Sequence, residues 1–214
     1  MKTRPYKYPR TPHLPWSLGG TSDDAYLFDT THFDGTEVVV TEKMDGENTS
    51  LYRDRMHARS LDSQNHPSRN WVKAMHGAIC HEIPEGWRIC GENVYARHSI
   101  AYDSLDSYFY VFSVWDDTNS CLSWQETCEW ATLLGLPTVP VLLESAEWNE
   151  EIVRNLEIDT ATQEGYVVRR SDAFAYDDFR ISLAKWVRKG HVQTDQHWMH
   201  SEIIPNRMRT QNGR

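Results

Sequence analysis

The sequence predicts an α+β fold in which antiparallel sheets are flanked by helices. Three observations lead there. Segments with strand character outnumber helical ones. They cluster without the strand–helix–strand alternation that a parallel sheet requires. Short Gly-, Pro- and Asp-containing turns separate them. A chain of 214 residues fits one large domain and can bury a full core.

The elements follow in order. Pro5, Pro9, Pro12 and Pro15 are interleaved with Tyr6, Tyr8 and Trp16, which excludes helix and predicts an extended arm over the domain or toward a partner. Residues 36–42 read as a strand around Val38-Val39-Val40, Asp45-Gly46 as a turn, and 48–53 as an alternating second strand. A third short strand covers 56–60. Trp71, Val72, Met75 and Ile79 recur at helical spacing and predict a helix from Ser68 to Ile83. Strands follow at 87–91 and 108–115. Ser123 and Glu126 form a capping box opening a helix that runs to Leu134 and stops at Gly135, with Pro137 beyond. Residues 139–143 read as a strand, and Asn149 caps a helix near 150–156 with two acids in its first turn. Strands at 165–170 and 180–187 close the series. No internal repeat or low-complexity stretch divides the chain. Residues 1–35 read as the arm and its lead-in, 36–190 as the main domain and 191–214 as a short tail.

Composition excludes several function classes. No window approaches the roughly 20 apolar residues of a membrane helix, and the N-terminus lacks a signal-peptide pattern. The expectation is a cytoplasmic protein with no membrane partner. Cys80, Cys90, Cys121 and Cys128 form no C-x-x-C pair and read as reduced core thiols rather than a disulfide frame or zinc site. A net charge of −9 argues against a generic nucleic-acid coat. The charge is unevenly distributed, however: Lys2, Arg4, Lys7 and Arg10 at one end, and Arg207, Arg209 and Arg214 at the other, stand without acids.

Lys43 carries the chemistry. It leaves a strand predicted to be buried and meets Asp45-Gly46, a poor place for packing and a good one for attack on a bound phosphate. Further polar residues fall at strand ends: Arg59-Ser60, Gly91-Glu92, Glu164-Gly165 and Lys185-Trp186, with Phe109 to Phe112 inside a strand.

In this order, over residues 42–190, the series resembles the covalent nucleotidyltransferases, the ATP-dependent polynucleotide ligases and mRNA capping enzymes. Glu42 before the lysine, Asn48 five positions after it, and Phe109-Tyr110-Val111-Phe112 are most similar to RNA ligases of the phage RNA-repair, nick-sealing kind. The resemblance implies an adenylation domain over 36–190, with antiparallel sheets around a nucleotide cleft. It implies an ATP-dependent RNA ligase that forms lysyl-AMP, passes AMP to a 5′-phosphate RNA end and seals that end to a 3′-OH. Lys43, Asp45 and Lys185 would be catalytic. Glu42, Arg59, Glu92, Phe112 and Glu164 would join Lys43 and Lys185 around ATP, with Phe112 stacked on adenine and Glu42 at its edge. Glu92 and Glu164 would hold Mg²⁺ or Mn²⁺ through water. Asn48, Arg59, Arg169, Arg188 and Lys189 would contact RNA. Burial and the cations Arg59 and Lys185 are expected to lower the Lys43 pKa. A kinase/phosphatase that heals RNA ends is an implied partner.

Two departures stand out. Ser113 follows Phe112 where such ligases often have Asp, and Val187 takes the place of the second lysine of their last motif. The stretch after Lys189 is also too short for the OB fold that capping enzymes and DNA ligases carry there. The same lysyl-nucleotide chemistry on nicked DNA or in capping is the nearest alternative, and a non-catalytic RNA-end binder is the alternative of another class. His191, His197 and His200 have spacings compatible with a metal pair, tail packing or RNA contact.

Overall fold

The computed structural model describes residues 4–20, 24–63, 65–190 and 203–209. The histidine cluster at 191–200 lies outside the described residues. Two antiparallel sheets face each other. The first has strand order β10-β8-β1-β7, with β1 Glu37–Glu42, β7 Val141–Glu147, β8 Gly165–Arg170 and β10 Leu183–Val187. The second has order β3-β2-β4-β5-β6-β9, with β2 Glu47–Tyr52, β3 Met56–Ala58, β4 Arg88–Asn93, β5 Phe109–Trp115, β6 Ser120–Cys121 and β9 Phe174–Ala175.

β1 explains its own apolar run. It is central in its sheet and covered on both faces, so alternation gives way to a continuous Val38-Val39-Val40. Val38 and Val40 pack outward with Leu14, Phe33 and Val153, while Val39 packs inward with Met44, Val94 and Val139. Each fully buried valine contributes about 1.5–3 kcal/mol. The outer face of the second sheet is covered by helices α1 (Asn70–Ile79) and α2 (Trp124–Leu133), which enclose Leu51, Val72, Ile89, Val111 and Ala131. In α2, Ser123 Oγ accepts from the Glu126 N–H, and Glu126 Oε2 accepts from the Ser123 N–H. The helix ends at Gly135, whose φ of +66° suits glycine. Helix α3 (Glu150–Arg154) starts at Asn149, whose side chain accepts from Ile152 N–H.

Two expectations change. The helix read over 68–83 is α1 flanked by 3-10 turns at 67–69 and 80–82, because Pro84 disfavours helical backbone at Ile83. The strand read from 180 begins at 183. Phe179–Ser182 is instead a helical turn, α4, that buries Phe179 against Trp115 and Phe174. The N-terminal arm is an integral part of the fold. It runs along the free edge of β10: Lys185 N–H donates to Pro12 O, Leu14 N–H to Lys185 O, and the N–H groups of Leu18 and Gly19 to Val187 O. Residues 203–209 dock on the 94–108 segment through Asn206, which is buried and bonds Val94 O and Tyr102 N–H. No helix among the described residues is long and apolar enough to cross a membrane.

Candidate active site

Between the sheets opens a cleft of about 590 Å³, within the range of small-ligand sites. β1 delivers Lys43 to it, because the Lys43 N–H still bonds Gly165 O on β8 and so extends the ladder one residue into the turn. Gly165 lets β8 and β10 close at this point: a Cβ there would lie 2.0 Å from Trp186 O. The residue before β8 is Glu164, fully buried, and its Oε2 accepts from Lys43 Nζ at 2.5 Å. β4 supplies Glu92, which stands opposite Asn48 of β2 and accepts from the Gly46 N–H. β5 supplies Phe112, the only residue of that strand that is not buried. β10 supplies Lys185, and the turn after β3 supplies Arg59. Glu42, Lys43, Asn48, Arg59, Glu92, Phe112 and Lys185, widely separated in sequence, therefore line one cleft.

The electrostatics differ from expectation. Burial works to lower the Lys43 pKa, but Glu164, Glu92 and Asp45 outweigh it and the net shift is upward. The pairing carboxylates, not Arg59 and Lys185, dominate the lysine. Burial pushes the Glu92 carboxyl up to about 8, helped by repulsion from Glu164 and Asp45 and opposed by Lys43. Burial, Lys43 and Arg59 push Lys185 down to about 8, against the pull of Asp24, whose Oδ1 is 4.0 Å from the ammonium, and of Glu164. Burial raises Glu42, while its bond from Gln163 lowers it.

The Glu92 shift has a consequence for stability. A carboxyl raised in the fold contributes stability fully below its ordinary value of 4.5, and loses it as pH climbs through about 8. Glu92→Gln removes that penalty. Its melting temperature should exceed that of the parent at pH 8 by roughly 4 °C, about 1–2 kcal/mol for a chain of this size, and the gap should close toward pH 5. Thermal denaturation at the two pH values checks this.

Several expected residues also make contacts within the fold. Asp45 is buried, and its Oδ2 accepts from Ser99 N–H, Ser99 Oγ and Ile100 N–H, each at 2.7 Å. It anchors the 98–100 loop to the lysine turn. Arg169, expected to contact RNA, also clamps the two sheets together. Although it borders the cleft, its guanidinium donates to Phe112 O and Leu122 O and stacks near Trp124 and Phe174. Arg188 reaches across to Ser99 Oγ at 3.2 Å, and Lys189 is exposed. Neither lines the cleft.

Both departures have a structural reason. Ser113 is buried, where its Oγ accepts from Trp115 Nε1. Val187 is buried under the arm, with Gly19 so close that a Cβ would meet Arg188 O at 2.1 Å.

Sequence reasoning missed Glu47 and Arg69, a bidentate ion pair in the cleft wall. It also missed His98, Tyr102, which accepts from the Asp45 N–H, and Tyr8, Pro9 and Thr11 of the arm. The only sequence signal for the arm residues was aromatic and proline content.

The sequence matches the family model described as RNA ligase over residues 36–187. The chain belongs to the RNA ligase family. The fold of this family member is similar to an archaeal ATP-dependent RNA ligase, at 20% identity and a TM-score of 0.55, over 84% of this chain and 48% of that one. It is similar also to a mutant apo form of the Naegleria gruberi RNA ligase, at 18% identity and a TM-score of 0.52, over 74% of this chain and 51% of that one. The chain thus spans about half the length of these solved structures. A search of curated proteins found no match. The family match begins at residue 36, so the arm lies outside it.

Proposed function

We propose that this chain is the adenylation unit, over residues 36–190, of an ATP-dependent RNA ligase acting in the cytoplasm. The observation that carries the reading is the convergence in one cleft of a strand-end lysine, two carboxylates and a second lysine. Lys43 pairs with Glu164, Glu92 lies close, and Lys185 stands across from them.

Lys43 Nζ gives up a proton and forms a bond to the α-phosphorus of ATP, while the bond to the pyrophosphate oxygen breaks. The lysyl-AMP then yields AMP to the 5′-phosphate of RNA, breaking the N–P bond and forming a phosphoanhydride. The 3′-OH of the other end attacks that 5′-phosphate and AMP leaves. Phe112 offers its exposed face to adenine, and Glu42 offers an acceptor to the amino group. Arg59, with its planar fork, and Asn48, whose buried Oδ1 has no hydrogen-bond partner, take the RNA phosphate and its neighbour. Lys185, as a cation, neutralises charge developing on the α-phosphate. Arg188 and Lys189 serve RNA from the rim.

The donor set fits Mg²⁺ or Mn²⁺ held through water. Glu92 and Glu164 are hard carboxylates, and among the described residues no group of three or more His, Cys, Asp or Glu gathers to hold an ion directly. When bound, such an ion supplies charge neutralisation at the phosphates. Glu164, which would help hold the ion's water, is also the carboxylate that pairs with Lys43 and favours its ammonium form. An end-healing kinase/phosphatase is the partner that would supply the 5′-phosphate and 3′-OH.

Sealing assays test the reading. The protein with ATP and Mg²⁺ should join 5′-phosphate RNA ends held at a nick and discriminate against an all-DNA nick. Reaction with GTP in place of ATP would indicate capping-type chemistry, and binding of RNA ends without turnover would indicate a non-catalytic end binder.

A further inference from the structure

We propose that the N-terminal arm is part of the nucleotide site: Pro9 and Thr11 contact the bound adenine nucleotide, and Tyr8 sets the ring of Phe112. The inference rests on the reading of the cleft as an adenine-nucleotide site.

The geometry points there along three lines. First, Tyr8, Pro9 and Thr11 line the same cleft as Lys43 and Phe112, although they lie outside the family-matched region. They join its apolar end. Tyr8 belongs to the cluster that holds Leu183 and packs on Phe112 and Val167, the residues a base would meet. Second, Tyr8 is fixed. It is buried and meets Phe112 edge-on at 5.2 Å and Phe179 at 5.3 Å. A ring so placed holds Phe112 in one orientation, and preorganised contacts gain affinity by sparing ordering cost. Third, the arm also governs Lys185. Residues 12–14 bond its backbone on both sides, buried His13 lies 3.7 Å from Asp24 Oδ2, and Asp24 faces the Lys185 ammonium. The arm thus adds a wall to the base end and a counter-ion to the phosphate end.

Thr11→Trp tests this, because bulk added at a partly exposed cleft residue should block the ligand without emptying the core. ATP affinity should fall at least about tenfold, while Leu18→Trp, on the outward side of the same arm, should bind as the parent does. Hydrogen exchange in the unaltered protein gives a second measurement: ATP should protect the amides of Tyr8, Arg10 and Thr11. If the parent binds ATP but Thr11→Trp binds equally well and the arm amides gain no protection, the arm is scaffolding and the proposal fails while the reading of the cleft stands. If the parent itself does not bind ATP, the cleft reading fails and takes this proposal with it. Should Thr11→Trp not melt cooperatively, the exchange result alone decides.

Discussion

Glu164→Gln should lower the plateau rate of Lys43 nucleotidylation by about 10²–10³-fold, because the carboxylate that would seat the metal's water, and with it the cation at the transferring phosphate, is lost. It should also move the acid limb of the pH–rate profile to lower pH. The sign follows from the pair. Glu164 favours the Lys43 ammonium and heads the forces that raise its pKa against burial. Glutamine keeps the shape and removes the charge, so the free amine appears at lower pH. Single-turnover rates across pH separate two explanations. A merely structural defect would lower the rate and leave the midpoint in place. A midpoint that does not move would show that Glu164 is not the partner controlling the lysine proton.

Lys185→Ala should produce a loss of the same order at pH 7, about 10²–10³-fold, by removing the cation opposite Lys43. Here the pH signature lies on the alkaline side. Lys185 is pushed down to about 8, first by burial and then by Lys43 and Arg59. Its charge is present below that value and disappears as pH rises through it, so the parent should lose activity above pH 8. Lys185→Arg keeps a cation at all accessible pH values. It should retain partial activity and lose the fall above pH 8, whereas Lys185→Ala should be slow throughout with no such fall. A parent profile flat through pH 9 would remove Lys185 from the charge-bearing role.

The sheets were legible in the sequence where pattern and burial coincide. The Val38-Val39-Val40 run and the capping box at Ser123 each report a local rule that the fold obeys, whereas β2, read as alternating, is buried on both faces from Thr49 to Tyr52. β6 and β9, two residues each, are too short to show a period. The turn at Phe179–Ser182 was hidden because burial of Phe179 among aromatic rings from distant segments overrides the strand pattern. In the site, residues at strand ends were readable because strand ends are where side chains meet a cleft between sheets. What sequence could not supply was pairing. Arg169 and Asp45 are polar residues in motif positions, yet their groups are committed to the inter-sheet carbonyls and to the 98–100 loop. The Glu47–Arg69 pair joins residues 22 apart in the chain, and nothing local marks either one. The direction of the Lys43 shift depended on which charges lie nearest, a fact of three dimensions.

The central claim is that Lys43 is the nucleophile that carries AMP. Incubation with ATP and Mg²⁺ in the absence of RNA, followed by intact-mass measurement and peptide mapping, tests it most directly. The expected result is a gain of one AMP per chain on the peptide containing Lys43, stable to alkali, released by acid as a phosphoramidate should be, and absent from Lys43→Ala. No covalent AMP, or AMP on another residue with Lys43→Ala labelled as fully as the parent, would contradict the account.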